Sequence, residues 1–121
     1  MTWRTADWRF DPETAFDLDD RTAIVTGGGS GLGRAIALGF GARGANVVVA
    51  DVDEDGADEV VAAIEDAGSR ALAVEADVTD RGSLARLRRR TIDAFGGYEI
   101  CCNLPGINVR EPVLDLSLED W

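Results

Sequence analysis

A glycine-rich segment is the part of the sequence whose residue types and spacing can do chemistry. It reads Thr26-Gly27-Gly28-Gly29-Ser30-Gly31-Leu32-Gly33 and stands between an apolar run and a helical pattern. Glycines allow backbone angles with positive φ, and they let a pyrophosphate approach the backbone without meeting a Cβ. Amides at the start of the following helix would then point at the phosphates. The segment therefore predicts a phosphate-binding loop.

The spacing of these glycines distinguishes between the known phosphate loops. The pattern G-x-G-x-x-G fits in no register, and a P-loop is excluded because no Gly-Lys-Ser/Thr is present. The pattern that fits is T-G-x-x-x-G-x-G, carried by Thr26, Gly27, Gly31 and Gly33. With this pattern the loop resembles the short-chain dehydrogenase/reductase family, although another glycine-rich turn between strand and helix can share it.

Asp51 ends the second apolar run, about twenty residues after the loop, where a carboxylate can bind the ribose hydroxyls of adenosine. Its charge would also repel a 2′-phosphate. Relatives that prefer NADP often carry a basic side chain at the positions of Ser30 and Val52, and neither residue is basic here. The resemblance therefore implies NAD in preference to NADP. A helix N-cap or a solvated strand end is the alternative role for Asp51.

Two further segments extend the resemblance. Residues 76–79 read Ala-Asp-Val-Thr; in the family Asp77 would accept a hydrogen bond from the adenine amino group, Val78 would present its backbone, and Thr79 is expected to cap the next helix. Residues 103–106, Asn-Leu-Pro-Gly, stand where the family has Asn-Asn-Ala-Gly. The asparagine is expected to hold the sheet and line the cofactor cleft, whereas the proline removes a backbone donor and stiffens the turn.

The resemblance implies a set of cofactor-binding residues and no catalytic ones. The family's catalysis uses an Asn on the next helix, a Ser, and a Tyr-x-x-x-Lys pair, and none of these can be assigned here. Tyr98 is the only tyrosine and no lysine follows it, so we interpret it as part of a surface turn or strand entry. The implied cofactor-binding residues are Gly27, Ser30, Gly31, Leu32, Gly33, Asp51, Val52, Asp77, Val78, Asn103 and Gly106.

Strand and helix patterns alternate along the chain from the glycine loop onward. Short apolar runs at 22–26, 45–50, 71–76 and 100–104 predict strands, and the second run is apolar apart from Asn46, as in a parallel strand covered on both faces. Three helical repeats lie between them: Leu32, Ile36, Phe40; Ala57, Val60, Val61, Ile64; and Leu84, Leu87, Thr91, Phe95. The alternation predicts a Rossmann-type α/β fold, a doubly wound parallel sheet truncated after about four strands and three helices.

Composition excludes several classes of protein. The chain of 121 residues has a formal net charge of −11, so phosphate-rich nucleic acid and anionic membrane would be repelled. All 12 basic residues are arginine, which excludes histidine metal sites and lysine chemistry. No apolar run is long enough to span a membrane and no secretory signal is visible. We therefore expect a cytoplasmic, acidic protein.

The two cysteines, Cys101 and Cys102, are neighbours on a predicted strand and would point to opposite faces. A disulfide between them is disfavoured, and one or both are expected to be small core residues.

We make separate predictions for the two ends of the chain. Residues 1–16 form a polar N-terminal extension with aromatic residues, which would pack on the domain, contact a second subunit or be poorly ordered. Residues 17–121 form a partial NAD-binding domain. Ser117-Leu118-Glu119-Asp120 matches a capping box with no helix behind it, which suggests a truncated chain. The fourth strand would be an exposed edge, with marginal stability or a need for a partner.

The predicted function is the N-terminal cofactor-binding part of an NAD-dependent short-chain oxidoreductase. The full-length parent would transfer hydride between NAD and an alcohol or carbonyl, and homo-oligomers are expected for it. Residues 106–112 and Asp115 are loosely similar to members that act on sugar acids such as gluconate. The alternatives are a non-catalytic nucleotide-binding or interaction module and a truncated product without function.

Overall fold

The elements that position the glycine loop follow the apolar runs of the sequence closely. The computed structural model describes residues 11–106, 112, 114–115 and 117–119. Its elements in chain order are β1 (Thr22–Thr26), α1 (Gly31–Ala42), β2 (Asn46–Asp51), α2 (Glu54–Asp66), β3 (Ala71–Glu75), α3 (Arg81–Phe95) and β4 (Ile100–Asn103). Each predicted strand is confirmed to within one residue at either end.

The four strands form one parallel sheet in the order β3-β2-β1-β4. In a parallel sheet all carboxyl ends lie at the same edge, and here that edge carries Thr26, Asp51, Glu75 and Asn103. The order reverses between β1 and β4, which is the place where open α/β sheets bind ligands. The predicted Rossmann-type fold is confirmed.

Helices cover both faces of the sheet. On one face α1 and α2 bury Ala37, Val60 and Ile64 against strand residues such as Val25 and Val47. The opposite face is covered by α3, whose Leu87 joins a cluster with Ile24, Val48, Ala50 and Val74. Successive strand residues alternate between these clusters, because strand side chains alternate between faces. The central strands are therefore shielded from solvent on both faces.

In two helices the first residue of the predicted helical repeat is exposed. Leu32 is 76% exposed, and the residues of α1 that are buried are Gly33, Ala37 and Gly41. Small residues face the sheet because α1 lies close to it, while Ile36 and Phe40 pack at the flanks as partly buried residues. Leu84 is likewise exposed on α3, where Ser83, Leu87 and Thr91 are buried.

The predicted cap of α3 was wrong by one residue. Asp80 is the N-cap, and its carboxylate accepts hydrogen bonds from the amides of Gly82 and Ser83. Thr79 lies one residue too early to reach these amides and donates to Asp77 instead. Helix α2 begins in the same way, with Asp53 accepting from the Gly56 amide.

The two cysteines differ in burial, and an aromatic residue near the N-terminus is exposed. Both cysteines are free; Cys102 packs against the core as a partly buried residue, and Cys101 is exposed. Phe16 is 63% exposed, so it does not pack onto the domain. The predictions for Trp3, Trp8, residues 107–111 and Asp120 lie outside the described residues. No described helix is long and apolar enough to cross a membrane.

Two exposed glycines should respond to alanine with opposite signs. A Cβ at Gly39, inside α1, or at Gly96, the C-cap of α3, would meet no atom within 4 Å, but Gly96 alone has a positive φ of 83°. We expect Gly39→Ala to raise the free energy of unfolding by about 0.5–1 kcal/mol. Gly96→Ala should lower it by about 1–2 kcal/mol. Urea unfolding followed by circular dichroism measures both, and changes of the same sign would contradict the backbone explanation.

Candidate functional site

The glycine loop crosses the carboxyl ends of β1 and β2 and is tied to β2. The amides of Gly27 and Gly28 donate to the Ala50 carbonyl at 2.8 and 3.3 Å. The next amide, that of Gly29, donates to Asp51 Oδ2 at 2.9 Å. Three successive amides of the loop therefore hold it against the end of the second strand.

At Gly27 and Gly33, the two ends of the loop, neighbouring backbone atoms lie so close that a side chain has no room. A Cβ at Gly33 would collide with the Gly27 carbonyl oxygen, because the first turn of α1 packs directly on the loop. Gly27 has a φ of +70°, and a Cβ there would lie 3.0 Å from the Pro105 nitrogen. Gly31, with a φ of +54°, faces open space. At Gly31 the loop therefore exposes backbone that no side chain covers.

Helix α1 begins without a side-chain cap, unlike the other two helices that the structure describes. Ser30 is extended and exposed, and its hydroxyl makes no capping hydrogen bond. The first turn of α1 holds no acidic residue, whereas that of α2 holds Glu54 and Asp55. Uncapped amides and the positive end of the helix dipole are the usual features of a phosphate-binding helix start.

Asp51 is fixed by two backbone donors. Its Oδ2 accepts from Gly29 and its Oδ1 from the Asp53 amide at 3.0 Å. The alternative role of Asp51 as a helix N-cap does not hold, because Asp53 is the N-cap of α2. The carboxylate is half-buried and faces the space beside the loop.

Asp77 follows β3 at the same edge of the sheet. Its Oδ1 accepts from the Thr79 hydroxyl at 2.6 Å and from the Thr79 amide at 2.9 Å. These hydrogen bonds, the hydroxyl first, lower the pKa of Asp77 below its ordinary value. The exposed carboxylate is therefore ionised at neutral pH and acts only as an acceptor.

Asn103 joins the last described strand to the first. The Thr26 hydroxyl donates to Asn103 Oδ1 at 3.0 Å, and the Leu104 amide donates to the Thr26 carbonyl at 3.2 Å. The predicted sheet-holding contact is therefore present. Pro105, which departs from the family pattern, comes to lie against Gly27.

These segments enclose one cleft of about 380 Å³ at the carboxyl edge of the sheet, within the usual range of ligand pockets. Within the part of the chain that the structure describes, its walls contain two carboxylates and no basic side chain. Sequence reasoning missed three lining residues, of which Ala76 and Thr79 adjoin predicted ones and Pro105 had been noted only as a mismatch. The lining residues are Gly27, Asp51, Val52, Ala76, Asp77, Val78, Thr79, Pro105 and Gly106.

The remaining predicted residues do not line this cleft. Ser30, Gly31, Leu32 and Gly33 form the start of α1 beside it, and Asn103 lies behind the Gly27 turn. In the described part of the chain, no three His, Cys, Asp or Glu side chains come together as metal ligands.

Comparison with known proteins agrees with this geometry. Residues 21–121 match the family model described as short chain dehydrogenase, so the chain belongs to the short chain dehydrogenase family. The family consists of oxidoreductases, and its Rossmann-type fold implies a module that binds a nicotinamide cofactor.

Two curated relatives and one solved structure illustrate the similarity. The 3beta-hydroxysteroid dehydrogenase 1 of Eggerthella lenta is 45% identical over 106 residues, covering 87% of this chain and 41% of the relative. The cis-4-hydroxycyclohexanecarboxylate dehydrogenase of Sinomonas cyclohexanicum is 44% identical, covering 84% and 41%. A hydroxysteroid dehydrogenase from Escherichia coli superposes with a TM-score of 0.82 at 34% identity, covering 88% and 45%. The chain thus spans about two-fifths of the length of these curated relatives.

The contact between Gly33 and the Gly27 carbonyl should make the loop sensitive to one methyl group. We expect Gly33→Ala to lower the free energy of unfolding by about 1–3 kcal/mol, because the loop must move off α1. The control is Leu32→Ala at the adjacent exposed position, with an expected change within about 0.5 kcal/mol. Urea unfolding compares the two variants. Equal free energies of unfolding would show that the loop shifts to accommodate the methyl group without a loss of stability.

Proposed function

We propose that this chain is the N-terminal cofactor-binding part of an NAD-dependent short-chain oxidoreductase, with residues 17–121 forming part of its NAD-binding domain. The observation that carries the proposal is the cleft at the carboxyl edge, where the Gly29 amide of the loop fixes the Asp51 carboxylate beside an uncapped helix start. Bound there, the nicotinamide cofactor would supply or accept the hydride exchanged with an alcohol or carbonyl substrate.

The residues present fit such a cofactor in three places. The start of α1, from Ser30 to Gly33, offers backbone amides to the pyrophosphate. Asp51 offers its carboxylate to the ribose hydroxyls of adenosine. Val52 and Val78, which are 68% and 38% exposed, offer apolar surface beside the Asp77 carboxylate for an adenine ring.

The charge of the cleft favours NAD over NADP. A 2′-phosphate would stand close to the ribose and hence to Asp51, which is held in place by two hydrogen bonds and has little freedom to turn away. The described lining residues include no arginine to offset the repulsion. The same argument does not apply to NAD, whose ribose hydroxyls donate to the carboxylate.

The chemistry of the whole protein is a proposal based on the family. Tyr98 precedes β4 and so belongs to the amino edge of the sheet, opposite the cleft, which supports our interpretation of it as a surface residue. The named relatives are dehydrogenases of hydroxylated ring compounds. By analogy with these relatives, we propose that the whole protein acts on a secondary alcohol or on the matching carbonyl compound. A sugar acid would be one member of this substrate class. Cytoplasmic location and homo-oligomers of the whole protein stay predictions.

Cofactor preference can be measured by titration of the folded chain. We expect NAD to bind at least about tenfold more tightly than NADP, a difference of about 1.4 kcal/mol. Asp51→Asn should reduce this ratio, because the variant keeps the size of the side chain and removes its charge. Asp66→Asn, an equal charge change at an exposed position of α2, is the control and should leave the ratio unaltered. A folded chain that binds neither dinucleotide, or both equally, would contradict the proposal.

The role of Asp77 can be tested with a cofactor that lacks the adenine amino group. In nicotinamide hypoxanthine dinucleotide a carbonyl oxygen replaces this donor and would face the Asp77 carboxylate, so we expect about tenfold weaker binding than for NAD. Asp77→Asn should abolish the discrimination, since an amide can donate to the carbonyl. Because hydrogen bonds lower the pKa of Asp77, the discrimination should persist through mildly acid pH and disappear only when the carboxylate is protonated. Equal binding of both dinucleotides by the unaltered chain would remove Asp77 from the adenine site.

A further inference from the structure

Helices α2 and α3 carry opposite charge in a chain that is acidic overall. Within Arg81–Phe95, α3 holds five arginines (Arg81, Arg86, Arg88, Arg89, Arg90) and a single acidic residue, Asp93. Helix α2 holds six acidic residues and no basic one: Glu54, Asp55, Asp58, Glu59, Glu65 and Asp66. All twelve of these side chains are exposed.

The charges of each helix lie on its outward face. The buried residues of α3 are Ser83, Leu87 and Thr91. At 100° per residue Arg89 points away from them, and Arg81 and Arg88 lie on one flank of the helix, about 20° apart. We name these three residues the arginine face. The buried residues of α2 are Ala57, Val60 and Ile64, so the six carboxylates, here named the acidic face, occupy its outward arc.

The two faces of one molecule cannot neutralise each other. Helix α2 packs on one side of the sheet and α3 on the other, because their buried residues belong to different core clusters. Among the described residues no ion pair involves the arginine face. Of the α3 arginines, Arg86 makes a described hydrogen bond, to the Glu75 carbonyl. The arginine face therefore has free charge to offer to another molecule.

The spacing of the charges is matched between the faces. Arg81 and Arg88 are seven residues apart on α3, as are Asp58 and Glu65 on α2, and so are Glu59 and Asp66. Seven residues are two helical turns, or about 10 Å along the axis. A helix presenting acidic residues at this interval can meet both arginines at once, and the sequence supplies such a helix in α2.

From this complementarity of charge and spacing we propose that the arginine face of one copy docks on the acidic face of a second copy. Since the two faces lie on opposite sides of the sheet, one docking event leaves an unused face on each partner. The contact is therefore head-to-tail, and it extends into short chains of molecules instead of closing as a two-fold dimer.

Sedimentation equilibrium of the folded chain in about 0.1 M salt tests this proposal. We expect the average mass to rise with protein concentration. Arg88→Gln with Arg89→Gln, and separately Asp58→Asn with Glu59→Gln, should each lower the association constant about tenfold, as the loss of two exposed ion pairs would. An equimolar mixture of these variants should regain association and stop at a 1:1 complex, since each retains one intact face.

A second pair of arginines provides the control for the change in net charge. Arg21→Gln with Arg43→Gln changes the total charge equally at exposed positions outside α3 and should leave the association constant unaltered. Raising the salt to about 1 M should abolish association, because the Debye length falls to about 3 Å. Circular dichroism checks that each variant is folded.

Three results would overturn the proposal. One is an unaltered chain that stays monomeric at every concentration. Another is a mixture of the two variants that fails to associate. The third is association that persists in high salt and in both variants, which would point to pairing through the exposed β4 edge instead. None of these results depends on cofactor binding.

Discussion

Parallel pairing of β1 with both β2 and β4 is the constraint on which the rest of the structure depends. It brings the turns after three strands to one edge, so that residues more than seventy positions apart, such as Thr26 and Asn103, share a hydrogen bond. The pairing requires buried strands without polar interruptions, which the run from Val47 to Val49 provides. Without this register, the glycine loop would have neither Ala50 nor Asp51 to bind.

The hydrogen bond from Gly29 to Asp51 links this framework to ligand selection. One carboxylate holds the loop in place and also faces the cleft, so the shape of the loop and the charge of the cleft wall are set by the same group. A Cβ at Gly29 would lie 2.9 Å from Asp51 Oδ2 and 3.1 Å from the Ala57 nitrogen. Glycine here lets the loop and the start of α2 approach from both sides of the carboxylate.

The sequence predicts strands and ligand turns better than it predicts helix faces. Val47 to Val49 and the glycines at 27 and 33 follow from local requirements, since an apolar run or a missing Cβ has few structural explanations. Leu32 belongs to the helical repeat that predicts α1, but the tight contact of α1 with the sheet buries Gly33 and Ala37 and leaves Leu32 exposed. Likewise, Thr79 and Asp80 are both good caps, and only the position at which α3 begins decides between them. Such choices depend on packing distances, which a pattern of residue types does not contain.

The distribution of charge is compatible with the phosphate site that we propose for so acidic a chain. A net charge of −11 repels anions at long range, but salt screens this repulsion beyond about 8–10 Å, so the local field decides binding. Acidic residues occupy the outward arc of α2, and Asp51 lines the cleft, while the first turn of α1 contains no acidic residue. In the proposed complex a phosphate at that turn would meet amides and the helix dipole, whereas a 2′-phosphate would meet Asp51. Under the function proposed above, cofactor selectivity would follow from where a phosphate sits, because the chain would attract it at the start of α1 and repel it at Asp51.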